Sequence, residues 1–176
     1  MKKIVLLLLP LFVVACGGGE TPVDPTPTQN KIIKTNITEN TIWYSDTIYQ
    51  LGGRISVESG ATLTIQPGTI IKGEAGTGAN ATVLLIARGG KLMAEGTPSL
   101  PVIFTSVADE ISQEDITNGN FTSPNLDPNI NGLWGGVIVL GNATISASNS
   151  SGDVSEVQIE GVPTSDQNGL YGGVNN

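Results

Sequence analysis

A short unit of strand, glycine corner and strand occurs three times in this chain. Val57-Glu58-Ser59-Gly60-Ala61-Thr62-Leu63 returns as Ile86-Ala87-Arg88-Gly89-Gly90-Lys91-Leu92, an offset of 29 (57 to 86). It returns again as Val139-Leu140-Gly141-Asn142-Ala143-Thr144-Ile145, an offset of 82 (57 to 139). A unit of this size cannot bury its own apolar side. Stacked copies bury a shared core, which is the logic of a solenoid. Gly60, Gly89 and Gly141 are expected at corners that need positive φ or close backbone approach, and Pro67-Gly68 supplies another turn.

The intervening runs read as strands. Ile55-Ser56-Val57 and Leu63-Thr64-Ile65 alternate with period two. Further strands are expected over 41–44, 48–51, 69–72, 82–86, 91–94, 102–105, 136–140, 143–146 and 154–159, with no helix between them. The expected fold class is all-β: a right-handed parallel β-helix of about three coils. A β-sandwich is the alternative, since it also has short strands and turns, but it does not predict the repeated corner unit.

The amino terminus sets the compartment. Met1-Lys2-Lys3 is a positive start, and Ile4–Val14 is apolar apart from Pro10. That run is too short for a bilayer span, which needs about 20 residues, and fits a secretory signal. Val13-Val14-Ala15-Cys16 resembles the bacterial lipobox, with Val13 where leucine is usual. The resemblance implies cleavage before Cys16 and lipid on its thiol and new amine. Residues 1–15 are therefore read as signal peptide and 16–30 as a lipid-anchored flexible tether. The tether carries Gly17-Gly18-Gly19 and prolines 22, 25 and 27, and too little apolar surface to fold. Residues 31–176 are left for the β-helix. Glycine after Cys16, where aspartate favours the inner membrane, points to an outer-membrane lipoprotein, with the periplasmic and the cell-surface side both open.

Charge and composition narrow the chemistry. The chain has 8 Lys and Arg against 16 Asp and Glu, and no basic residue follows Lys91. Such a surface cannot neutralise phosphates, so nucleic acid is excluded as a partner. There is no histidine, which removes the commonest general base and metal ligand. One cysteine allows no internal disulfide. The acidic insertion from Val107 to Asn131 is expected to project as a loop. Its Asp109, Glu110, Glu114, Asp115 and Asp127 are the candidate calcium ligands, without the spacing of any known calcium loop. Trp43, Tyr44 and Trp134 are candidate glycan-stacking residues; the competing reading packs Trp43 over the first coil and Trp134 at a coil edge. Asp46-Thr47-Ile48 looks like a short bacterial O-glycosylation motif.

Several segments then resemble one family. They are Ser59-Gly60-Ala61-Thr62-Leu63-Thr64-Ile65-Gln66-Pro67-Gly68-Thr69, Gly89-Gly90-Lys91-Leu92-Met93-Ala94-Glu95-Gly96-Thr97, Pro101-Val102-Ile103-Phe104-Thr105-Ser106, Trp134-Gly135-Gly136-Val137-Ile138-Val139, and Tyr171-Gly172-Gly173. The chain resembles the lipid-anchored or secreted parallel β-helix proteins of Bacteroidota-type bacteria, whose architecture is pectate-lyase-like. The resemblance covers roughly residues 36–174. It implies a structural module with no catalytic set to carry over. Family members continue for more coils, so the chain is expected to be the N-terminal portion of a longer protein. Lyases on this fold pair calcium-binding acids with a basic residue near the sugar; here the arginines are only Arg54 and Arg88, and Arg88 is expected to face solvent. The expected function is a non-catalytic adhesive, scaffold or glycan-contacting module without a cofactor, binding the membrane through its anchor and a polysaccharide or cell-surface ligand. The alternative is a fragment of a polysaccharide lyase or hydrolase whose catalytic coils lie beyond residue 176.

Overall fold

The structure, a computed structural model, describes residues 29–173. The signal, Cys16 and nearly all of the tether lie outside the described residues. Three parallel sheets form the walls of the solenoid. The first contains β1 (Gln29–Ile33), β3 (Thr47–Leu51), β6 (Ile70–Gly73) and β9 (Ile103–Ser106). The second contains β4 (Arg54–Val57), β7 (Val83–Ile86) and β10 (Val137–Val139). The third contains β2 (Thr41–Trp43), β5 (Thr62–Ile65) and β8 (Lys91–Met93). The chain visits the three walls in turn. A parallel bridge from Ile37 to Val57 stands in for the second wall of the first coil. β9 and β10 begin a fourth coil. Parallel pairing on every wall excludes the antiparallel sandwich.

The repeats stack in the register their sequences share. Val57 pairs with Ile86 and Ile86 with Val139, while Leu63 pairs with Leu92. Period-two alternation buries Thr47, Tyr49 and Leu51 of β3 while Ile48 and Gln50 are less covered. The main core holds Trp43, Leu51, Ile55, Val57, Leu63, Ile65, Ile71, Leu84 and Ile86, all almost fully buried. Each large aliphatic side chain buried in this way contributes about 1.5–3 kcal/mol. The corners behave as read at Gly60 and Gly89, with φ of 86° and 80°. Gly141 does not have positive φ. There the chain leaves the solenoid path, Ala143–Ile145 adds no rung to β8, and Leu140 packs outside the second wall with Val83, Leu85 and Ala87.

Three other expectations are corrected. β1 begins at Gln29, inside the stretch assigned to the tether, because Gln29–Ile33 pairs residue for residue with β3. The acidic insertion does not project. It contains a short helix, α1 (Gln113–Thr117), with a capping box between Ser112 and Asp115. Ile111 and Ile116 are buried on Ile70, in an outer cluster that also takes in Ile48 and Ile103. Those three isoleucines are stacked in register along the first wall, and the insertion covers them. The segment after residue 140 forms two antiparallel hairpins, β11 (Ala147–Asn149) with β12 (Gly152–Val154), and β13 (Glu156–Gln158) with β14 (Leu170–Gly172). Val162, Ile159 and Tyr171 from this segment lie over the outside of the second wall. At the last rung Val137 and Val139 remain exposed, Val139 at 69%.

Candidate functional site

The first wall and the insertion enclose a half-open cleft of roughly 470 Å³. That size is within the range of small-ligand sites, about 300–1,000 Å³. Phe104 lines it from β9, in register with Ile71 and Tyr49. Trp134 lines it from the far end of the insertion and also packs on the main core. Its indole occupies the place a side chain on Gly73 would fill, since a Cβ there would overlap the ring. Glycine at 73 is thus the seat of Trp134. Thr122, Asp127 and Asn131 of the insertion add polar groups to the lining.

Asp109 fixes the insertion to the cleft. Its carboxylate is buried and accepts from Thr105 Oγ1 at 2.7 Å, Ser123 Oγ at 2.8 Å and the Ile111 N–H at 2.9 Å. Lys72 Nζ donates to the Asp109 carbonyl at 2.6 Å. Burial pushes the Asp109 carboxyl up, but the hydrogen bonds from Thr105, Ile111 and Ser123, with the nearby Lys72 ammonium, outweigh it and hold the group below the ordinary carboxylate range. Burial pulls the Lys72 ammonium below its usual value, against the opposing pull of Asp109, Asp115 and Glu110. Asn125 joins the two sides of the insertion: its Oδ1 accepts from the Glu110 N–H and its Nδ2 donates to the Ala108 carbonyl.

The five candidate calcium ligands are not brought together. Asp109 accepts from three donors within the protein. Asp115 accepts the Ser112 N–H and hydroxyl. Asp127 Oδ1 accepts the Asn129 N–H and side-chain amide. Glu114 stands in the first turn of α1, and Glu110 meets the cluster through its backbone. Among the described residues no three acidic, histidine or cysteine side chains converge into a metal-holding group.

The three aromatic candidates are also separated. Trp43 is 2% exposed and stacks on Tyr49, with ring centroids 4.6 Å apart and planes at 11°. It is a core residue, which corrects its reading as a glycan platform. Tyr44 is exposed beside it, at the corner between β2 and β3 and not in the cleft. Trp134 alone of the three lines the cleft. Thr47 of the glycosylation motif is buried, and its hydroxyl donates to Asp46. Arg88 does not stand free in solvent: it pairs with Glu156 at 2.6 Å and donates to the Gly172 carbonyl. Arg54 pairs with Asp166 at 3.0 Å. Both arginines tie the C-terminal segment to the second wall and lie outside the cleft.

Sequence reasoning missed Phe104, Thr105, Ser123 and Asn131 as cleft residues. The available signal for the first two was the strand alternation of Ile103–Ser106. Nothing in the spacing of Ser123 or Asn131 distinguishes them from other loop residues.

The family described as pectate-lyase like beta helix domain matches residues 35–119. The match runs from β2 through β9 into the first part of the insertion, leaving out β1 and β10, and it agrees with the parallel stacking. No curated protein matches the chain. No solved structure matches it.

Proposed function

We propose that this chain is a lipid-anchored module of the bacterial envelope that contacts polysaccharide through the cleft between β9 and the insertion, without cutting it. The observation that carries this reading is the composition of the cleft. Phe104 and Trp134, both also packed on the main core, line it together with the hydroxyl of Thr122 and the amide of Asn131. Aromatic rings offer large apolar faces, and the polar groups match the edges of a sugar. The match to a pectate-lyase like domain supports a polysaccharide-related role. The non-catalytic part of the reading is supported by the cleft lining, in which the one buried carboxylate, Asp109, is engaged by three donors and held ionised. A glycosidase needs a second carboxyl kept protonated, whereas hydrogen bonds from Asn129 hold Asp127, the other carboxyl of the lining, below its ordinary range. Anchoring is supported by the apolar run ending at Cys16, and surface display in a Bacteroidota-type bacterium by the resemblance of the coils.

Affinity electrophoresis of the mature protein through gels cast with polysaccharide tests the reading, with the gel assayed afterwards for new reducing ends and unsaturated products. Retardation without product is expected. Release of oligosaccharides would contradict the non-catalytic reading and favour the enzyme alternative.

A further inference from the structure

We infer that the cleft selects a neutral, hydroxyl-rich glycan and rejects uronate polymers, although the matching family is named for pectate; this rests on the reading of the cleft as a polysaccharide contact. The ionisable side chains lining the cleft are Asp109 and Asp127, with no lysine or arginine among them. Lys72 donates to the Asp109 carbonyl and is not part of the lining. Glu110, Glu114 and Asp115 add negative charge from the rest of the insertion, and no basic residue follows Lys91. All of these acids lie in one insertion, which carries no lysine or arginine. A uronate carries a carboxylate on every sugar, so each residue entering the cleft meets repulsion with no compensating donor.

The hydrogen-bonding groups point the same way. Both carboxylates of the lining are acceptors held ionised: hydrogen bonds from the Asn129 backbone and side-chain amides depress the Asp127 carboxyl, as the Thr105, Ile111 and Ser123 donors do for Asp109. Asn129 uses only Oδ1 of Asp127, which leaves Oδ2 to accept from a ligand hydroxyl. Sugar hydroxyls are donors as well as acceptors and can satisfy such a group; a uronate has them too, but adds a carboxylate that cannot donate. The apolar wall of Phe104 and Trp134 receives the C–H face of a ring. A cationic peptide would meet the charge and can also sit on the aromatic rings by cation–π contact, so hexalysine stands in the test as the competing occupant.

The test uses the full mature lipoprotein in detergent micelles, with calorimetry and tryptophan fluorescence as readouts. The probes are cellohexaose, xylohexaose and mannohexaose, hexagalacturonate, and hexalysine. At least one neutral hexasaccharide is expected to bind, at least about tenfold more tightly than hexagalacturonate. In Asp127→Lys, an exposed substitution, that ratio is expected to shrink through a gain in hexagalacturonate binding. Asn131→Ala, also exposed, is expected to weaken the neutral sugar. Hexagalacturonate binding as well as the best neutral sugar would overturn the selectivity and leave the glycan-contact reading in place. Binding of no glycan, or tighter binding of hexalysine than of any glycan, would overturn both.

Discussion

Gly60 and Gly89 occupy successive corners of the solenoid, and the Gly60 N–H donates to the Gly89 carbonyl at 3.0 Å. Both have positive φ, and a Cβ on Gly89 would also press on Ser59 Oγ. Gly89→Ala is expected to cost about 1–2 kcal/mol, the usual penalty of a left-handed residue. Gly141→Ala is expected to change stability by no more than about 0.5 kcal/mol, because Gly141 lacks positive φ and nothing lies within 4 Å of its would-be Cβ. Urea midpoints of the two variants check the contrast. Asp109 makes a second prediction at this scale. Its folded pKa is depressed, so the stability it contributes is present above the unfolded value of about 3.9 and is lost as pH falls through the lower folded value. Asp109→Asn is expected to lose about 1–3 kcal/mol at neutral pH by facing three donors with a poorer acceptor. It is also expected to show a shallower loss of stability below about pH 4 than the native chain. Asp115 and Asp127, whose carboxyls hydrogen bonds likewise depress, leave a residual slope. Unfolding curves from pH 3 to 7 measure both effects.

The solenoid strands were legible because each carries its own evidence. Period-two burial in β3 and the shared register of Val57, Ile86 and Val139 follow from residues a few positions apart. β1 was not legible, since Gln29-Asn30-Lys31 is polar and acquires strand geometry only by pairing with β3. The insertion was misjudged for a related reason. Ile111 and Ile116 are two apolar residues in an acidic run, and α1 is too short to show periodicity. Their destination, the isoleucine column on the outside of the first wall, exists only once the coils are stacked. Ile116→Ala is expected to destabilise the protein by about 2–4 kcal/mol. Hydrogen exchange should show the loss as faster exchange across 107–131, with the strands β4 and β7 little changed. Uniform acceleration in all three walls would mean that the insertion is not a separately docked element. The cleft was only partly legible: Trp134 could be singled out as an aromatic, but its seat on Gly73 and its approach to Phe104 depend on the return path of the insertion.

At the scale of the molecule, a solenoid core is clad on two of its three walls. The insertion covers the first and the C-terminal hairpins cover the second, where Arg54 and Arg88 supply its ion pairs to Asp166 and Glu156. Most of the cleft lining, from Asp109 to Asn131, comes from the insertion. Upstream, Cys16 is proposed to hold this body at the membrane. Cys16→Ser is expected to abolish incorporation of labelled palmitate and to move the protein from the detergent phase to the aqueous phase on phase separation. Unchanged partitioning would remove the anchor from the account. The central claim is that the β9–insertion cleft is where polysaccharide is held. Hydrogen exchange of the mature lipoprotein, with and without a saturating neutral hexasaccharide, tests it most directly. Protection confined to 103–109 and 122–134 is the predicted result. Protection elsewhere on the solenoid, with those segments unchanged, would contradict it.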